Sequence, residues 1–161
     1  MKKIHLIAPS GASLDASSPL QGIEWLQKQG VEVLNTECVN RVEQRFAGSD
    51  AERLAEVNQL AKLSPEIAVV AMRGGYGLHR LLPDIDWAGI AKAVQNGLQI
   101  CGHSDFTACE LALLAKTGAV MTNSDAIVGF SPSPRSRRSR SACYCAAMHT
   151  PETQQKFIDL R

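Results

Sequence analysis

Apolar residues along this chain fall into short unbroken runs, separated by longer stretches with helical spacing. The first run, residues 3–8, stops at Pro9-Ser10-Gly11 and reads as a buried strand. From about Leu20 to Gln29, Leu20, Ile23, Leu26 and Gln27 fall near one helical face, and Gly30 is a natural stop. Val31–Leu34 is a second strand. Ser49 or Asp50 can cap a helix whose apolar face is Leu54, Val57, Leu60 and Ala61. Ile67–Ala71 is a third strand, continuously apolar, as a strand covered on both faces should be. It empties into Arg73-Gly74-Gly75-Tyr76-Gly77, with a short helix to Leu82 and another from Trp87 to about Gln95. Leu98–Gly102 is a fourth strand that turns at His103-Ser104-Asp105 into a helix carrying Leu111, Leu114 and Ala115. Ala119-Val120-Met121 is a candidate fifth strand.

Alternating strands and helices with short connections predict an α/β fold: a mostly parallel sheet with helices on both faces. Ligands of such sheets sit beyond the carboxyl ends of the strands. Three features fall on that edge: the loop at Pro9-Ser10-Gly11, the Arg73–Gly77 loop and the turn at Ser104. The alternation breaks after about Gly129, where residues 131–141 are a Ser/Pro/Arg tract without apolar period. The expected organisation is therefore a domain over 1–122 and a divergent, poorly ordered tail over 123–161, with one short helix from Pro151.

Composition narrows the function classes. Of 161 residues, 45% are apolar and 20% charged, which is globular, and 17 Lys+Arg against 16 Asp+Glu leave no global basic field for nucleic acid. No apolar run reaches the ~18–20 residues that span a bilayer, and the run after Lys2-Lys3 is too short for a signal peptide. The five cysteines, Cys38, Cys101, Cys109, Cys143 and Cys145, lack framework spacing, so free thiols in the cytoplasm are expected. Cys143-x-Cys145 with His149 offers no fourth ligand, and neither metal nor cofactor is expected. The Arg135–Arg140 run reads as a solvated tail; a nucleic-acid binder is the minor alternative.

Gly102-His103-Ser104-Asp105 lies where a strand meets a helix. A serine there projects its hydroxyl from the sheet edge, and the next amide, that of Asp105, faces a developing oxyanion. Position 106 is Phe, so the G-x-S-x-G pattern is incomplete, and a helix N-cap is the competing reading. The Arg73–Gly77 loop can hold an anion, form a tight turn or supply a second oxyanion amide. A serine nucleophile also needs a base. His103 is adjacent and diverges, His5 lies within a strand, His149 lies in the tail, and His79 is the only local candidate.

Five ordered blocks carry a resemblance: His5–Gly11, Arg45-Phe46-Ala47-Gly48, Arg73–Gly77, Leu82–Trp87 and Ile100–Ala108. Together they resemble the LD-carboxypeptidase family, serine peptidases that include muramoyltetrapeptide carboxypeptidases and microcin-immunity carboxypeptidases. The resemblance covers roughly Ile4 to Thr122. It implies hydrolysis of the L,D-peptide bond to the terminal D-alanine of a murein tetrapeptide, in cytoplasmic cell-wall recycling. Ser104 would be the nucleophile. The Asp105 amide and one from the glycine loop, Gly75 or alternatively Gly74, would form the oxyanion hole. The implied partners are the murein peptide and a second copy in a homodimer, with no nucleic acid and no membrane. In the family a Glu and a His follow the serine in a second domain. The expectation is thus a truncated or frame-shifted chain that is nearly inactive alone. A non-enzymatic ligand-binding module using the same loops is the alternative.

Overall fold

A computed structural model describes residues 3–13, 15 and 17–121. The expectations for the 123–161 tail, its short helix and the cysteines and histidine within it lie outside these residues. Four strands form: β1 (Lys3–Ile7), β2 (Glu32–Leu34), β3 (Ile67–Ala71) and β4 (Gln99–Cys101). All pair in parallel, in the order β2-β1-β3-β4, with Ile4 opposite Val33 on one side and Ala68 on the other. The helices are α1 (Ser17–Lys28), α2 (Asp50–Gln59), α3 (Trp87–Gln95) and α4 (Thr107–Thr117).

The two-residue period of the strands sorts the core into two layers. Ile4, Leu6, Val70 and Cys101 pack with Ile23 and Leu26 of α1 and with Cys38 and Val39. Ile7, Val69, Ala71 and Ile100 pack on the opposite face with Val57 of α2, Ile90 of α3 and Leu113 of α4. Both sheet faces are therefore covered by helices. The helix starts follow local chemistry. Ser49 caps α2 in a full capping box with Glu52, and Asp86 caps α3 through the Gly89 amide at 2.9 Å.

Two expectations are corrected. Ala119-Val120-Met121 forms no strand. Its alternation is nonetheless real: Ala119 and Met121 are buried against the α2–α4 layer and Val120 is exposed, with no ladder formed to β4. The buried side of α4 is not Leu111, Leu114 and Ala115. Leu111 is 61% and Leu114 46% exposed, whereas Cys109 and Leu113 are fully buried. The phase of α4 is set by Phe106, which is buried just before it and continues the stripe 106, 109, 113 at helical spacing.

Candidate active site

The strand order reverses between β1 and β3, and the loops leaving those strands meet there. The Gly11 amide donates to the Gly74 carbonyl at 3.2 Å. Such a switch point, at the carboxyl edge of a parallel sheet, is where these folds bind ligands. The turn after β4 closes on the same place. Ser104 is exposed and holds φ 60°, in the left-handed region. For a non-glycine residue that conformation costs on the order of 1–3 kcal/mol and is maintained by its surroundings.

Those surroundings are visible. A Cβ on Gly74 would lie 2.4 Å from Ser104 Cβ, 2.6 Å from its Oγ and 3.2 Å from the Asp105 amide nitrogen, so only glycine permits this approach. A Cβ on Gly102 would lie 2.0 Å from the Phe106 ring. The Phe that breaks the G-x-S-x-G pattern thus fills the space under the turn. Asp105 turns its side chain back: its Oδ2 accepts a long hydrogen bond from the Leu78 amide, 3.4 Å, tying the glycine loop to the Ser104 turn. Gly75, at φ 121°, lies over Gly11 rather than over Ser104; its missing Cβ would sit 3.5 Å from Gly11 Cα. Ser104, Asp105 and Gly74 are therefore in direct contact, with Gly75 the next residue along the loop.

The histidines do not complete a dyad among the described residues. The His79 ring is taken by Tyr76, with Nε2 3.2 Å from the hydroxyl and ring centroids 4.5 Å apart. His5 is buried within β1. No hydrogen bond to the Ser104 hydroxyl forms among the described residues. Cys38, Cys101 and Cys109 are buried free thiols whose pKa values burial pushes up to about 12, which keeps them in the neutral thiol form. Among the described residues no group of three or more His, Cys, Asp or Glu side chains gathers as a metal site would require. Nor is any helix among them long and apolar enough to cross a membrane.

Residues 4–124 match the LD-carboxypeptidase N-terminal domain. The chain belongs to the LD-carboxypeptidase family. The murein tetrapeptide carboxypeptidase of Pseudomonas aeruginosa is 31% identical over 148 residues, 87% of this chain and 46% of that protein. The microcin C7 self-immunity protein MccF of Escherichia coli is 29% identical over 109 residues, 67% of this chain and 30% of that one. Among solved structures, the muramoyltetrapeptide carboxypeptidase from Oxalobacter formigenes superposes with a TM-score of 0.60 at 43% identity, covering 73% of this chain and 38% of that one. The chain thus spans less than half the length of these relatives. The family is one of hydrolases of carboxypeptidase type, and the sheet of this chain is the family's α/β fold.

The family blocks now acquire physical roles. Residues 45–48 fold onto the β1 loop: the Ala12 amide donates to the Arg45 carbonyl at 2.9 Å and the Ala47 amide to the Ser10 carbonyl at 3.1 Å. Arg53, fully buried, donates from one terminal nitrogen to the Pro9 carbonyl at 2.7 Å and from Nε to the Gly48 carbonyl at 3.2 Å, and its other terminal nitrogen pairs with Asp50. Arg73 donates to the Ala12 carbonyl. Buried Glu56 accepts from the Ala8 amide at 2.7 Å, from Asn35 at 2.6 Å and from Arg41 at 2.7 Å. Reading the sequence passed over Arg53 and Glu56. The signal was there: both share the helical phase of Val57 and Leu60, so two charges stand in the buried stripe of α2.

Two expected outcomes follow from this geometry. In a catalytically complete protein, Gly74→Ala should lower kcat by at least ~100-fold. The new methyl must push the Ser104 turn aside, and misplacements of about 1 Å cost that much. Steady-state kinetics check this, and unchanged kcat would contradict it.

The second concerns pH. Burial holds the pKa of His103 below 6.5, with Arg73 lowering it further and Asp105 opposing; His5 is lowered the same way, against Glu56 and Glu37. The unfolded chain therefore binds protons that the folded chain refuses. Stability contributed this way is present above pH 6.5 and lost as pH falls below it. The urea midpoint should be lower at pH 5.5 than at pH 7.5, and His103→Gln should narrow the gap. A gap unaffected by that change would contradict the reading of His103.

Proposed function

We propose that this chain supplies the nucleophile and oxyanion hole of a serine carboxypeptidase that releases the terminal D-alanine of murein tetrapeptides by cleaving an L,D-peptide bond. The observation that carries the proposal is Ser104 itself: exposed, in left-handed backbone, and packed with the Asp105 amide against Gly74 at the carboxyl edge of the sheet. Its hydroxyl attacks the scissile carbonyl and gives up its proton. The oxyanion is held by the Asp105 amide and one from the glycine loop, Gly75 or Gly74. The C–N bond then breaks, the D-alanine amine leaves with a proton, and water hydrolyses the acyl-serine. The base, with the group that orients it, comes from outside residues 3–121, since no described side chain bonds the hydroxyl. Residues 3–121 alone are accordingly nearly inactive. Cell-wall recycling in the cytoplasm is the setting that this substrate suggests.

The substrate class draws support from the names of the relatives from Pseudomonas aeruginosa and Oxalobacter formigenes. A second reading comes from MccF, 26% identical with a TM-score of 0.65, whose structure holds aspartyl sulfamoyl adenosine. The test joins residues 1–121 to the second domain of a family member and assays both substrates. D-Alanine release from the tetrapeptide supports the proposal. Cleavage of the aminoacyl sulfamoyl nucleotide alone favours the second reading.

A further inference from the structure

The Arg45–Gly48 block holds the β1 loop through its backbone, which leaves the Arg45 side chain without a role. Five arginines lie among the described residues. Arg41 pairs with Glu56 and Arg80 with Asp50, each at 2.7 Å; Arg53 is buried in its clamp, and Arg73 donates to Ala12. Arg45 has no acidic partner among the described residues. Its exposed guanidinium rests on aromatic faces instead, 5.0 Å from the Tyr76 ring centroid and 5.8 Å from that of Phe46.

That platform is fixed. Tyr76 sits between Gly75 and Gly77 and is held by His79. Phe46 lies under Gly77, where a Cβ would meet its ring at 2.6 Å. A guanidinium stacked on rings keeps its N–H edge free to grip a planar anion with two parallel bonds. The ring under the guanidinium belongs to the same glycine loop that meets the nucleophile. The Arg45 carbonyl and the Gly74 carbonyl flank Gly11, and Gly74 touches Ser104.

We propose that Arg45 binds the free carboxylate of the peptide's terminal residue and thereby restricts cleavage to the chain end. The inference rests on Ser104 being the nucleophile. An enzyme that removes one residue meets that carboxylate one residue beyond the attacked carbonyl, within about 4 Å of it. A cation stacked on Tyr76 of the glycine loop, whose Gly74 lies against Ser104, therefore answers a requirement of the reaction.

The test is an amide-resonance NMR titration of the 161-residue chain with L-Ala-γ-D-Glu-meso-diaminopimelyl-D-Ala, as free acid and as C-terminal amide. The wild-type chain should bind the acid about 10-fold more tightly, as expected for a charged hydrogen-bonded pair, with shifts at the glycine loop. Arg45→Gln should abolish that preference, Arg45→Lys should restore part of it, and Arg80→Gln should leave it intact. Equal binding of acid and amide at the glycine loop, or a preference that survives Arg45→Gln, overturns the role of Arg45 and leaves the reading of Ser104 standing. Binding of neither form likewise overturns the role of Arg45, while the reading of Ser104 is decided by D-alanine release from the joined protein.

Discussion

Replacing Ser104 by alanine, in residues 1–121 joined to a family second domain, should reduce kcat for D-alanine release by on the order of 10⁶. Without Oγ no acyl-enzyme forms, and only the oxyanion amides and binding remain, together worth roughly 10³–10⁴ over water. The fold should be indifferent. The hydroxyl makes no hydrogen bond among the described residues, and alanine meets the same left-handed backbone at φ 60°. The denaturation midpoint should therefore move by no more than about 0.5 kcal/mol equivalent. Ser104→Gly separates function from stability more sharply. Glycine relieves the backbone cost, so this variant should gain up to about 1 kcal/mol while remaining inactive. A Ser104→Ala enzyme retaining a tenth of its activity would remove the residue from the chemistry.

Replacing Glu56 by alanine should be the most damaging single change to stability outside the apolar core. The carboxylate is buried and accepts from the Ala8 amide, Asn35 and Arg41, at 2.6–2.7 Å. Its loss leaves three donors without their acceptor, one of them a largely buried cation, at a cost of about 3–5 kcal/mol. Against a total of about 5–15 kcal/mol, this should lower Tm by on the order of 10 °C. The effect reaches the site, because Ala8 opens the loop that carries Ser10 and Gly11 to Gly74. Glu32→Ala is the control. Its 3.1 Å pair with Lys3 is partly solvent-exposed, and pairs near the surface contribute about 0–1 kcal/mol. Equal midpoints for the two variants in thermal unfolding would contradict the structural role of Glu56.

The sheet was legible because buried parallel strands announce themselves as unbroken apolar runs, and Ile67–Ala71 is the plainest case. The placement of the three loops was equally legible, since the carboxyl edge follows from the alternation of strands and helices. Distances across that edge were not. Sequence order says nothing of how close Gly74 comes to Ser104, because the contact closes between the loops after β3 and β4, from the Gly74 backbone onto the Ser104 side chain. The orientation of α4 is hidden in the sequence for a related reason. Leucines 111 and 114 satisfy helical spacing as well as Cys109 and Leu113 do, and the tie is broken by Phe106 packing into the space left by Gly102. Charged residues in a buried stripe, such as Arg53 and Glu56, look like solvent-facing positions until their partners are known. Those partners are main-chain groups of the β1 loop and side chains of the segment after β2.

The most direct test of the nucleophile is covalent. The joined two-domain protein is incubated with a fluorophosphonate, which phosphonylates an activated serine with loss of fluoride, and the adduct is located by peptide mass spectrometry. A single adduct on the peptide bearing Ser104, absent from the Ser104→Ala variant, is the predicted result. An adduct on another residue, or equal labelling of the Ser104→Ala variant, would contradict the account.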